Sequence, residues 1–290
     1  MELKKDYALF GPSGSDDDFA KEGHTATVEM PKWVRDKGLD LFEYSFGRGV
    51  RISESTATAI AEEADANGVE ISVHAPYFIN FANDDEEKKK ATFGYLFSSL
   101  DALKYFGGNR AVFHPGSPLK RERREAMGVL LRAFSEFMEI FYREGYDWSY
   151  VCAETMGKLN QLGDLDEIVE ICNVAENVIP CVDFGHLNAR TQGSLKTYDD
   201  YKRVVDRLID GVGEEKVKKM HVHFSMIEYG KSGEIRHLTF ADQMFGPEFE
   251  PLAKLLAEYR LEPWILSESA GTQSSDAKTM KNLDSQYLTE

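Results

Sequence analysis

The sequence predicts an α/β fold, a single-domain (β/α)8 TIM barrel spanning residues 1–290. Three observations predict it. Eight short apolar runs alternate with amphipathic segments along the chain. Metal-binding residue types close most of those runs. Their spacing is about one βα unit per step.

The runs are Tyr7–Phe10, Leu41–Tyr44, Glu70–His74, Arg110–His114, Tyr150–Glu154, Val178–Asp183, Lys219–His223 and Pro263–Glu268. Short, nearly continuous apolar stretches rich in β-formers suit parallel strands buried on both faces. Helical patterns lie between them. Residues 53–67 open on a capping Ser53 and stop at Gly68. Residues 86–106 stop at Gly107-Gly108. Residues 121–144 carry Met127, Leu130, Leu131, Phe134, Phe137 and Met138, a three-and-four spacing that builds one apolar face. Asp164 is an N-cap for 164–173, and 197–209 and 248–259 complete the set. A doubly wound sheet shares this alternation. Eight runs, so many with polar ends, favour the barrel.

Hydrophobic residues make up 42% of the chain and aromatics 12%, enough for a sizeable core. No apolar run approaches the roughly 20 residues needed to span a bilayer. The start, Met1 to Asp6, leads into only a short apolar patch, so no signal peptide is expected. Cys152, Cys172 and Cys181 sit within apolar stretches and read as small buried hydrophobes in a reducing, cytoplasmic setting. The formal net charge of −16 repels polyanions, unless divalent ions in a cleft reverse the local sign. Gly11-Pro-Ser-Gly14 lacks the lysine of a phosphate-binding loop, and there is no Gly-x-Ser-x-Gly nucleophile motif. The basic runs Lys88–Lys90 and Lys120–Arg124 read as solvated helix faces.

Of seven histidines, only His24 lies away from the strand ends. His74, His114, His221 and His223 end runs, His186 follows one, and His237 falls in the loop after the seventh. Glu154, Asp183 and Glu268 end three more. His74 to His114 and His114 to Glu154 are 40 residues each; Asp183, His221 and Glu268 follow at 29, 38 and 47. In a barrel such residues converge on one mouth, where barrel active sites lie. Taken singly, such a histidine is more often a hydrogen-bonded loop residue, and such a carboxylate a helix cap. Taken together, carboxylates so crowded would repel and protonate unless cations were present. Mixed imidazole and carboxylate ligation suits Zn2+, Mn2+ or Fe2+ better than Ca2+ or Mg2+.

Six stretches occur in order: Val73-His-Ala-Pro-Tyr-Phe-Ile-Asn80, Phe113-His-Pro-Gly-Ser117, Ala153-Glu-Thr-Met-Gly157, Val182-Asp-Phe-Gly-His186, Met220-His221 and Ile265-Leu-Ser-Glu268. The set resembles the endonuclease IV family of apurinic/apyrimidinic endonucleases, within the wider xylose-isomerase-like barrels. The resemblance implies two or three Zn2+ ions, with Mn2+ or Fe2+ as alternatives. Glu154, Asp183, His221 and Glu268 would hold one; His74 and His114 a second, bridged through Glu154; His186 and His237 would contribute to a third. It makes Glu154 and Glu268 the catalytic carboxylates. The implied reaction is hydrolysis of damaged double-stranded DNA on the 5′ side of an abasic site, by a monomer. Clustered metals acidify a bridging water, neutralise the phosphate and stabilise the departing oxyanion. Tyr77 and Phe78 match a loop that wedges into the base stack; packing under the barrel mouth is the alternative.

The chain departs from the family in three places. Ile235 stands where an Asp of the third metal site is usual, and Glu234 would substitute if the loop is shifted. His223 replaces an Asn. Two residues from His221 on a strand, it shares its face, as an extra ligand or as a partner behind one. The first strand has Leu9-Phe10 where the family has a His. A one-metal sugar isomerase or epimerase on the same barrel is the rival. The set Glu154, Asp183, His221 and Glu268 serves either, whereas His74, His114, His186 and His237 favour the phosphodiesterase. A non-catalytic binding protein is disfavoured by the intact bridging set.

Overall fold

A computed structural model describes residues 8–14 and 16–288. The strands, in chain order, are β1 (Leu9–Pro12), β2 (Leu41–Ser45), β3 (Glu70–His74), β4 (Arg110–Phe113), β5 (Tyr150–Glu154), β6 (Val178–Asp183), β7 (His221–Phe224), β8 (Ile227–Gly230), β9 (Gly233–His237) and β10 (Trp264–Ser267). Eight form one parallel sheet in the order β1-β10-β7-β6-β5-β4-β3-β2. β8 and β9 are a separate antiparallel hairpin. The sheet curls until β1 meets β2. Ser13 bridges to Glu43, the Gly14 N–H donates to the Glu43 carbonyl at 2.9 Å, and the Asp40 N–H donates to Phe10 O at 2.8 Å. Only glycine fits at position 11 of this seam, because a Cβ there would lie 1.9 Å from the Leu41 carbonyl oxygen. The predicted (β/α)8 barrel is the observed fold.

β3, β5 and β6 occupy the residues expected of them. β1 begins at Leu9; Tyr7, expected in it, lies outside the described residues. Helices fill the expected segments: Glu54–Asn67, Glu86–Tyr105, Arg123–Arg143, Leu165–Cys172, Tyr198–Val212 and Glu250–Tyr259. The anticipated caps are in place. Ser53 Oγ accepts from Thr56 N–H at 3.1 Å. Asp164 accepts from Glu167 N–H at 3.0 Å, and Glu167 accepts back from the Asp164 N–H. The hairpin was not expected, nor was the closing helix Gln273–Tyr287, whose polar sequence buries Ala277 and Met280.

The main core lies between the sheet and its helices, where Phe81, Phe113, Phe134 and Phe137 pack ring against ring. Each such ring contributes about 1.5–3 kcal/mol by burial. The barrel interior is narrow. Leu41, Trp264 and Leu266 pack together within it, as do Val112, Cys152, Ile179 and Cys181. All three cysteines are free and buried. Low in the barrel, Arg110 stacks on Trp264 at 4.2 Å and donates to Met220 O, and burial lowers its pKa to about 10. It remains charged at neutral pH. Among the described residues no helix is long and apolar enough to cross a membrane.

Candidate metal centre

Parallel register decides which side chains share a layer at the mouth. Glu154 pairs with Cys181, Asp183 with His223, and His223 with Leu266, so Glu268 stands just above His223. Among the described residues four groups of potential ligand atoms result, each within 4.8 Å of one another: at the mouth, His74, His114 and Glu154; Glu154, Asp183, His223 and Glu268; His186, Glu234 and His237; and one layer lower, Cys181, His221 and His223. Glu154 belongs to two of them. Its Oε2 lies 3.0 Å from both His74 Nε2 and His114 Nε2, and its Oε1 lies 3.3 Å from His186 Nδ1 and from His223 Nδ1.

The surrounding hydrogen bonds aim lone pairs into these groups. His74 Nδ1–H donates to Ala75 O at 2.8 Å, which leaves Nε2 facing Glu154. His186 Nδ1–H donates to Thr155 O at 3.0 Å, and its Nε2 lies 3.4 Å from Glu234 Oε2. Asp183 splits its carboxylate. Oδ1 caps the following helix by accepting from the His186 N–H at 2.6 Å, while Oδ2 is buried with no hydrogen bond, 3.2 Å from His186 Nδ1. A buried ionic oxygen without a hydrogen bond is costly. A cation beside it would remove that cost, so the donor set fits a metal.

Electrostatics agree. Burial alone would raise Glu154, yet the His114 and His223 imidazoles hold it well below the usual carboxylate range. Burial pushes Asp183 up to about 6 against the pull of His186. His186 is raised to about 10, because Asp183 and Glu154 outweigh its burial. Burial lowers His114. Protons on imidazoles thus balance the carboxylates, and divalent ions would replace those protons.

His221 is grouped differently from the expectation: it lies with Cys181 and His223, and it is His223 that stands beside Glu154, Asp183 and Glu268. Both point into the barrel, but His221 pairs with Cys181 and Trp264, one layer lower. There its Nε2 donates to Glu43 Oε2 at 3.0 Å, and burial lowers its pKa to about 4, so the ring is neutral. Glu43 was not expected at all. It sits on β2, fully buried, and accepts from Ser13 Oγ and Ser72 Oγ at 2.9 Å each. The signal was present, since a carboxylate inside a buried apolar strand requires partners.

The irregular third corner is built by the hairpin. Glu234 on β9 reaches His186 and His237, while the neighbouring Ile235 is 56% exposed. Gly157 permits this, because a Cβ there would lie 2.7 Å from Glu234 Cβ. His237 Nδ1 is 2.8 Å from Ser225 Oγ, and its Nε2 lies 3.8 Å from Glu268 Oε2. Tyr77 and Phe78 do not pack beneath the mouth; they are 59% and 55% exposed. The Tyr77 ring stacks on His114 at 5.5 Å. His74, Tyr77, His114, His186, Glu234 and Glu268 line a common cavity of about 370 Å³.

The sequence pattern described as a xylose isomerase-like TIM barrel matches residues 31–287. An uncharacterized protein of Methanocaldococcus jannaschii is 30% identical over 237 residues, 81% of this chain and 84% of that protein. A probable endonuclease 4 of Finegoldia magna is 27% identical over 183 residues, and the match spans only 61% of each chain. Among solved structures, a D-tagatose 3-epimerase-like protein superposes with a TM-score of 0.71 at 23% identity, covering 97% of both chains. Endonuclease IV from Thermus thermophilus superposes with a TM-score of 0.64 at 18% identity, over 91% of this chain and 94% of that one. Likeness at these identities carries the fold alone.

Proposed function

The chain belongs to the xylose isomerase-like TIM barrel family, and from that premise we propose a metal-dependent phosphodiesterase resembling endonuclease IV, cutting DNA on the 5′ side of abasic sites. One observation carries the reading. Three ligand groups meet in one place, two of them sharing Glu154. A single-ion isomerase needs only Glu154, Asp183, His223 and Glu268; it has no use for a further His pair on the far oxygen of Glu154, or for the His186, Glu234 and His237 corner.

Ions held there would supply an acidified water and positive charge for the phosphate and the departing oxygen. The protein's own contribution is placement. Glu154 ties two groups together, Ala75 O and Thr155 O set the tautomers of His74 and His186, and Glu268 spans the space between His223 and His237. The exposed rings of Tyr77 and Phe78 are suited to stack against bases. The Tyr77 N–H donates to Gly47 O at 3.0 Å, which sets this loop beside exposed Arg48 and Arg51. Those cations, with exposed Lys120 and Lys231 on other mouth loops, offset the acidic whole near a polyanion.

The epimerase reading keeps one specific support, the overall superposition on a D-tagatose 3-epimerase-like protein. A duplex with one abasic site discriminates. Metal-replete protein carrying two or three ions should nick it on the 5′ side, and chelator should abolish the nick. A single bound ion, no nick, and interconversion of ketohexoses would establish the epimerase instead.

A further inference from the structure

We propose that Glu43, with His221 beside it, is the positioning group that makes His223 a metal ligand through Nδ1. The inference rests on the metal-centre reading. Glu43 lies at the middle of the barrel with no exposed surface. Four groups surround its carboxylate: Ser13 Oγ and His223 Nε2 at 2.9 Å on Oε1, Ser72 Oγ at 2.9 Å and His221 Nε2 at 3.0 Å on Oε2. A carboxylate so fully held by hydroxyls and a neutral imidazole cannot swing away, so its place under His223 is set by the barrel itself.

His223 stands between two acidic layers. Nε2 faces Glu43 below; Nδ1 faces Glu154 Oε1 at 3.3 Å and Glu268 Oε1 at 3.5 Å above. A ring lone pair and a carboxylate oxygen repel at 2.9 Å, so Nε2 must carry its proton. The N–H is not in line with Oε1, and the contact is an electrostatic one. Nδ1, which hydrogen-bonds Glu154 Oε1 at 3.3 Å, is then the atom whose proton a cation beside Asp183 Oδ2 would replace. A carboxylate behind a ligand histidine fixes the tautomer and raises ligand basicity, and losing it typically weakens metal affinity about 10–100-fold. His221 fills the layer below, which explains a second histidine two residues from the ligand.

The test compares full-length wild type with Glu43→Gln, which keeps the volume and removes the charge. Zinc affinity is read by chelator competition, and folding by circular dichroism. The expected result is a folded variant with zinc bound about 10–100-fold more weakly at unchanged maximal stoichiometry, and with Glu43→Asp recovering part of the loss. Wild-type affinity in folded Glu43→Gln overturns the proposal. Nitrogen-15 NMR of the histidines in the zinc-loaded wild type needs no variant. It should show His223 protonated at Nε2 and metal-bound at Nδ1; metal on Nε2 overturns the proposal while leaving the metal centre intact. Wild type that takes up no zinc overturns the metal-centre reading itself.

Discussion

Replacing Glu154 by Gln tests the bridge most directly. The side chain is fully buried, and each of its two oxygens serves a different group, Oε2 with His74 and His114, Oε1 with His223 and His186. Glutamine preserves the volume but offers one neutral oxygen in place of two charged ones. Changes to the groups behind a metal's ligands already cost about 10–100-fold in affinity, so loss of a shared ligand should cost at least about 100-fold at each ion. At about 1.4 kcal/mol per decade, that is about 2.8 kcal/mol per ion. Metal content after dialysis against a mild chelator, with affinities from competition, measures it. The expected outcome is that ions leave both groups together and nicking falls with them. A variant that keeps its ions, or loses one while the other binds as before, would refute the sharing of Glu154.

The register makes His223→Ala lose an ion and activity while His221→Ala keeps the ion count; the reverse order would restore the assignment made from sequence. Tyr77→Ala and Phe78→Ala, both on exposed side chains, should change stability by no more than about 0.5 kcal/mol yet raise KM for the abasic duplex; an unchanged KM would remove them from DNA contact. In chelator, thermal stability should fall as pH rises from about 6.5 to about 10. His186 is raised to about 10 by Asp183 and Glu154 against its burial, so its contribution is complete below the unfolded value and is lost on passing the folded one. Asp183, pushed up to about 6 by burial, acts in the same sense over a lower window, so that stability also falls as pH rises between about 4 and 6. Saturating zinc should flatten the decline, and a metal-free protein with level Tm from pH 6.5 to 10 would contradict the coupling of these groups.

Much of the barrel was legible along the chain because its signals are local. Buried parallel strands are short apolar runs, and β3, β5 and β6 fall on the expected residues. Ser53 and Asp164 announced helix starts because a cap acts within three residues. The closing helix Gln273–Tyr287 escaped because few of its residues are apolar, and packing against β1, β10 and the helix Glu250–Tyr259 supplies what its sequence pattern lacks. The hairpin of β8 and β9 escaped for a different reason. It is two short strands attached beside Gly157, and their partner is another loop.

The chemistry divides along the same line. Strand period sends His221 and His223 to one face, and strand ends send Glu154, Asp183 and Glu268 to one mouth; the sequence by itself determined that these residue types converge. Which of the two histidines meets the carboxylates depends on how far β7 is slid against β6 and β10, and a slide of two residues preserves the face while changing the layer. Glu43 became part of the centre only when β2 curled round to β1 beneath it. Facing is a property of one strand and can be read from its residues, whereas depth in a barrel is a property of the whole closed sheet, and only the tertiary structure decided it.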